Sequence, residues 1–212
     1  MTGKIALIIV DVQNDFLEKG SLAVPDSNVI LEPVNQLMIK IKQLGGLVIA
    51  TQDWHPNNHV SFASNNHKPV FSTHRVEYEG QWMDQIMWPD HCVQNSRGAE
   101  LSDALDKDRI DYFVKKGLNP QVDSYSAFAD NNYSEITELA KILYQHNIDT
   151  VYVVGLATDY CVKFTCLDAI KFGFDTVLLT DCTSPVDSIQ LEATLNHLKS
   201  KGVKMLLSSD VK

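Results

Sequence analysis

The sequence predicts an α/β protein, a parallel sheet covered by helices on both faces. Three observations carry that expectation. Short apolar runs alternate along the whole chain with segments whose apolar residues recur at helical spacing, the pattern of successive βαβ units. Most of these runs are apolar at every position, as strands buried on both faces are. Reactive polar groups then stand where the runs end: Asp11, Asp53, Lys116 and, just past the fourth run, Cys161. Ligands of open parallel sheets bind outside those carboxyl ends.

Taken in order, Lys4 to Asp11 reads as the first strand. A loop through Gly20 and Pro25 leads to residues 29–44, where Ile30, Val34, Leu37, Ile41 and Leu44 keep helical spacing until Gly45-Gly46 stops them. Leu47 to Ala50 is the second strand, running on to Asp53. From Asp53 to about Arg97 no period is sustained, and so long an irregular stretch is usually functional. A short helix near 98–105 precedes a third strand, Ile110 to Val114, closed by Lys115-Lys116-Gly117. The loop 117–129 precedes a helix near 132–146, with Ile136, Leu139, Leu143 and Tyr144 on one side. Val151 to Val154 is the fourth strand, ended by Gly155. Thr158 and Asp159 read as N-cap residues ahead of Val162, Cys166 and Ala169, which places Cys161 in the first turn of a helix. A fifth strand (Thr176 to Thr180), a helix near 187–200 and a last strand near Lys204 to Leu207 complete the chain.

The 212 residues, 44% of them hydrophobic, suffice for one substantial core. No linker or repeat divides them, so a single domain over 1–212 is expected, with an irregular cap at about 53–97. The net charge of −9 argues against a phosphate-backbone partner and favours small uncharged or cationic ligands. No run is long enough to span a membrane, and Ile5 to Val10 is too short for the core of a signal peptide. A cytoplasmic location is therefore expected, with the four cysteines (no C-x-x-C pair among them) as free thiols.

Cys161 is the candidate nucleophile, because helix-terminal N–H groups and the helix dipole favour a thiolate there. A buried structural cysteine is the ordinary alternative, and position alone does not decide between them. Asp11 is the candidate base. A free thiol and a free carboxyl differ by roughly 4.6 pKa units, a proton transfer of about 6 kcal/mol in water. Desolvation raises the acid and Lys116 lowers the thiol, but Lys116 also favours ionised Asp11, and the balance is not readable from the chain. Capping a turn is an equal use for Asp11, and a surface position is an equal use for either lysine. Five of the seven histidines and all three tryptophans fall between Asp53 and His91. Asp53 and His55, two apart on an extended segment, point the same way and with His91 make a candidate site for a divalent ion, Zn²⁺ or Fe²⁺ first and Mn²⁺ after them. His67, His74, His146 and His197 are expected to be ordinary solvated residues.

Asp11-Val-Gln-Asn-Asp-Phe16, Asp53-Trp-His-Pro56, Trp88-Pro-Asp-His-Cys-Val-Gln-Asn95, Lys116-Gly117 and Gly155-Leu-Ala-Thr-Asp-Tyr-Cys-Val162 together resemble the bacterial nicotinamidases among the isochorismatase-like cysteine hydrolases. The resemblance runs through nearly the whole chain in the same order. It implies a three-layer α/β/α fold with a six-stranded parallel sheet of order 3-2-1-4-5-6. It further implies hydrolysis of nicotinamide to nicotinate and ammonia, in NAD salvage, through a thioester on Cys161. Asp11 is then the base and Lys116 its partner, with Asp53, His55 and His91 on one divalent ion. The backbone N–H groups of Ala157 and Cys161 form the implied oxyanion hole, beside a cis peptide at Leu156-Ala157. Phe16, Leu22, Trp88 and Tyr125 line the implied ring pocket. His59 is a ligand in some relatives and a bystander in others. Competing readings are a ureido- or carbamoyl-amide hydrolase, disfavoured by the metal ligands, and a non-catalytic binding module, disfavoured by an acid facing a thiol.

Overall fold

The structure, a computed structural model, describes residues 4–212. Six strands form its centre: β1 (Lys4–Val10), β2 (Leu47–Asp53), β5 (Tyr112–Lys116), β6 (Ile148–Leu156), β7 (Asp175–Ser184) and β8 (Lys204–Leu206). They make one parallel sheet of order β5-β2-β1-β6-β7-β8. Counting only the strands of this sheet, the order is 3-2-1-4-5-6. The labels shift because a separate antiparallel hairpin, β3 (Thr73–Tyr78) and β4 (Gln81–Ile86), intervenes.

Period-two geometry divides β1 between two cores. Leu7 and Ile9 face one layer, where Val34, Leu37, Met38 and Ile41 of α1 (Leu31–Gln43) and Val211 pack. Ala6, Ile8 and Val10 face the other, built by α3 (Leu139–Gln145), α4 (Lys163–Lys171) and Leu198 of α5 (Leu191–Ser200). The middle strands are thus covered on both faces, which is why they carry no polar alternation. Gly155 permits the central pair: its φ is +110°, and a Cβ there would lie 2.1 Å from the Val10 carbonyl oxygen.

The expected cap is not irregular throughout. Besides a one-turn helix α2 (Ala63–Asn66), it holds the β3–β4 hairpin, joined by Glu79-Gly80 with both φ positive, as a two-residue primed turn requires. Its apolar residues are split between the faces, Val76, Tyr78 and Met83 on one and Trp82 and Ile86 on the other, so no sustained hydrophobic alternation marks it. The helix expected near 98–105 does not form. Gly98 is pressed against Asp15, Gln13 bridges to Leu101 and Ser102 N–H donates to the Val12 carbonyl, leaving 3₁₀ turns at Arg97–Ala99 and Lys107–Arg109. The helix expected over 132–146 starts only at Leu139, because the Asp130 carboxylate gathers Asn132 N–H, both donors of Ser134 and Glu135 N–H into a loop.

Candidate active site

Four neighbouring strands, β5, β2, β1 and β6, deliver one reactive group each: Lys116, Asp53, Asp11 and, one turn further on, Cys161. Alternation along β5 turns Lys115 outward, its Nζ 3.5 Å above the Trp54 ring, and turns Lys116 inward to 1% exposure. Lys116 Nζ lies 2.9 Å from Asp11 Oδ2 and 3.6 Å from Cys161 Sγ. It also pairs with Asp53 Oδ1 and donates to the Ser124 carbonyl at 2.8 Å. Asp11 leaves β1 with φ +50°, and its Oδ1 accepts from Thr51 Oγ at 2.6 Å. Its Oδ2 is an ion-pair partner of Lys116 but accepts no hydrogen bond among the described residues, so a lone pair stays open.

Burial pushes the Asp11 carboxyl up to about 6, although Lys116 pulls against it. Burial also raises the Cys161 thiol well above its usual value, with Lys116 again opposing. For Lys116 the sign reverses: burial disfavours its charge, but the two carboxylates outweigh burial and raise it well above the ordinary lysine range. The resting triad is therefore carboxylate, ammonium and neutral thiol. The ammonium touches both the acid and the sulfur, so it can follow the negative charge from one to the other.

The expected capping differs from the structure. Thr158 and Asp159 do not cap the helix that carries Cys161. That residue lies in a π turn, Thr158–Val162, ahead of α4, with Ala157 at the N-cap position and no side-chain cap. The peptide Leu156-Ala157 is cis.

The metal-ligand candidates converge. Ligand atoms of Asp53, His55 and His91 lie within 4.8 Å of one another, all buried. The Nδ1 atoms of His55 and His91 face carbonyl oxygens, of Gly117 at 2.9 Å and of Pro89 at 2.8 Å. A carbonyl only accepts, so Nδ1 carries the proton and Nε2 turns its lone pair toward Asp53. Those Nε2 atoms stand 3.6 and 3.9 Å from Asp53 Oδ2, and that of His55 is buried without a hydrogen-bond partner among the described residues. Burial would raise Asp53, yet Lys116 and His55 hold it below the usual carboxylate range. Burial would lower His55, but Asp53 outweighs it and raises it, so the carboxylate draws a positive charge, a proton or a metal ion, onto the Nε2 lone pair. Two carboxylates sharing one ammonium leave negative charge uncompensated at Asp53 Oδ2, where the two Nε2 atoms converge, and a divalent cation fits this donor set. Gly117 completes the cradle: with φ +66°, a Cβ there would lie 2.3 Å from the His55 ring.

His59 is wired the other way. Its ring stacks on His55 at 4.0 Å, but Nδ1 accepts from Ser61 N–H at 3.3 Å and Nε2 faces the Val122 carbonyl at 3.3 Å. Both nitrogens are engaged, and burial with His55 nearby lowers it to about 3.

One cavity, about 410 Å³ with its mouth included, reaches Cys161 of the triad and Asp53 and His91 of the candidate metal ligands. Phe16, Leu22, Trp88 and Tyr125 line it as expected, together with Cys161, Ala157, Asp53 and His91. The Trp88 indole donates to Tyr125 Oη at 3.2 Å and stands edge-on to Tyr160 at 5.0 Å. Val24, Asp123, Tyr160 and Val186 also line it, beyond the residues to which the sequence points. Tyr160 sits inside the Cys161 motif, and Val186 lies just past the carboxyl end of β7, where the strand-end rule points. Asp123 is held by Gln85 Nε2 and Ser124 N–H, both at 2.8 Å, and nothing in its sequence neighbourhood marks it.

A family profile for the isochorismatase domain matches residues 5–210. The chain is 47% identical over 176 residues to the nicotinamidase of Escherichia coli K12, covering 83% of this chain and 81% of that one. It superposes on the yeast nicotinamidase bound to the inhibitor nicotinaldehyde with a TM-score of 0.90 at 33% identity, over 96% of this chain and 99% of that one. For the pyrazinamidase of Pyrococcus horikoshii in complex with zinc, the TM-score is 0.79 at 38% identity, over 96% and 99% of the two chains. On these matches, and on a site built as described, the chain belongs to the isochorismatase-domain family and, within it, to the nicotinamidase group of amide hydrolases.

Proposed function

We propose that the protein is a metal-dependent cysteine amidase that hydrolyses nicotinamide, and also pyrazinamide, to the acid and ammonia. The observation that carries this reading is a single cavity lined at once by the Cys161 thiol, by the metal-ligand candidates Asp53 and His91, and by Phe16, Trp88 and Tyr125. A flat heteroaromatic amide spans such a space with its carboxamide at the thiol and its ring among Phe16, Trp88 and Tyr125.

Asp11 Oδ2 takes the Cys161 proton as sulfur bonds to the amide carbon, and Lys116 stays with the moving charge. Ala157 and Cys161 N–H groups hold the resulting oxyanion. Asp11 returns its proton to the amide nitrogen, the C–N bond breaks, ammonia leaves and a thioester remains on Cys161. Asp11 next takes a proton from water as the hydroxide adds to that carbon. The C–S bond then breaks, the proton goes back to sulfur and the acid leaves. When bound by Asp53, His55 and His91, a divalent ion, Zn²⁺ or Fe²⁺, offers an open position to the lone pair of the ring nitrogen. An aldehyde of the same ring inhibits the yeast relative, and an aldehyde carbon is what a thiolate placed at the carboxamide would capture. The zinc in the Pyrococcus relative supports the ion. Four free thiols support a reducing, cytoplasmic setting.

Ammonia release from nicotinamide, pyrazinamide, benzamide and a ureido amide, with and without chelator, tests the reading. Rapid, chelator-sensitive release from the first two is expected. Release confined to the ureido amide would overturn it.

A further inference from the structure

Thr158 and Asp159 hold cap-type positions in the sequence, but their bonds run elsewhere. Thr158 Oγ lies 2.8 Å from Thr183 Oγ on β7. The Asp159 carboxylate, on a residue only 9% exposed, accepts from two consecutive backbone N–H groups beyond that strand, Val186 at 2.9 Å and Asp187 at 2.9 Å. Carboxylate–amide bonds of this kind are charge-assisted and stronger than neutral ones. Asp187 in turn accepts from Ile189 N–H at 2.9 Å and opens the 3₁₀ turn that leads into α5. The turn that bears Cys161 is thereby bolted to the segment that bears Val186. Cys161 and Val186 line the same cavity.

We propose that Asp159 is a positioning residue for substrate selection: it fixes the distance between Val186, as a wall of the ring pocket, and Cys161. The inference rests on the amidase reading above. Asp159 touches neither the thiol nor the expected ring position, so its influence travels through the backbone of residues 186 and 187. An asparagine there keeps the volume, but its NH₂ cannot accept, and one of the two backbone N–H groups loses its partner.

The test compares wild type, Asp159→Asn, Val186→Ala and the double variant on nicotinamide and 5-methylnicotinamide, with KM and kcat measured separately. Asp159→Asn should raise KM for nicotinamide with little change in kcat. Its preference for nicotinamide over the methylated ring should fall about ten-fold, the lower end of what one methylene decides in an apolar pocket. Val186→Ala should loosen the same preference, and adding Asp159→Asn to it should change the preference little further. A full, independent effect of Asp159→Asn in the Val186→Ala background would overturn the proposal, as would a loss of kcat with KM and preference unchanged. Asp159→Glu, which keeps both acceptors on a longer arm, provides the same readout should the asparagine variant fail to fold. A wild-type protein inactive on every amide would sink the amidase reading itself, whereas an unchanged preference in an active Asp159→Asn protein sinks this proposal alone.

Discussion

The two sides of the pocket are made of different material. The proposed reacting side is a row of strand ends, with Lys116, Asp53 and Asp11 in three neighbouring strands and Cys161 in the turn after a fourth. Its side chains are buried and in contact, three of them charged and the fourth a neutral thiol. The ring side is drawn from loops and turns: Phe16, Leu22, Trp88, His91 and Tyr125 all lie outside the sheet. Its side chains are aromatic or neutral, and they touch few charges. The contrast teaches where rigidity is spent. Proton transfer between a carboxyl and a thiol needs fixed geometry, which a packed sheet supplies, and specificity is carried by loops that vary at little cost to the core.

Changes on the reacting side should therefore remove turnover, and changes on the ring side should mainly weaken binding. The largest effect is expected for Cys161→Ala, which should abolish ammonia release while leaving the fold and the metal content intact. Turnover at a near-normal rate in that variant would end the covalent scheme. Cys166→Ala and Cys92→Ala should be mild toward chemistry, because neither sulfur lines the cavity.

Asp11→Asn should cost about 10²–10⁴-fold in kcat/KM, the usual weight of a general acid–base group. The acid limb of the wild-type profile sharpens that expectation. Asp11 must be ionised to accept the thiol proton, and burial places its pKa at about 6. Activity should then fall as pH drops through about 6, not through the ordinary carboxylate range near 4. A limb near 4, or one that persists in Asp11→Asn, would remove Asp11 from the role of base. Lys116→Met should be severe as well, since it leaves Asp11 and Asp53 buried without their shared cation. Lys115→Met removes only a contact with the Trp54 face and should be mild. Comparable losses from the two lysine changes would erase the distinction between the inner and outer faces of β5.

The reacting side is legible in the sequence and much of the ring side is not. Strands buried on both faces announce themselves as continuous apolar runs, and the reactive groups stand where those runs end. The hairpin of 73–86 has no such signal, because its apolar residues are divided between its two faces and its turn is made by an ordinary Glu79-Gly80 pair. Thr158 and Asp159 read as caps from their neighbours alone, but their partners lie 25 to 28 residues downstream. Gly98 is likewise held flat by Asp15, a contact remote in sequence that no helix propensity anticipates. His55 and His59 show the same limit in one pair of rings. Only the carbonyl behind His55 and the amide beside His59 decide which one turns a lone pair inward.

A smaller loss is expected from His55→Ala, acting through KM more than kcat, because the proposed ion that His55 would help hold is assigned to the ring nitrogen and not to the scissile bond. One comparison tests this division most directly: kcat/KM for nicotinamide and for benzamide, each measured with metal-loaded and metal-stripped protein. Benzamide has the same flat ring and carboxamide but no ring nitrogen. A site built around a polar partner can reject an analogue lacking it by up to about 10⁴–10⁵-fold. The loaded protein should strongly prefer nicotinamide, and stripping the metal should collapse that preference with the residual benzamide rate little changed. Equal values for the two amides in the loaded protein would contradict the account.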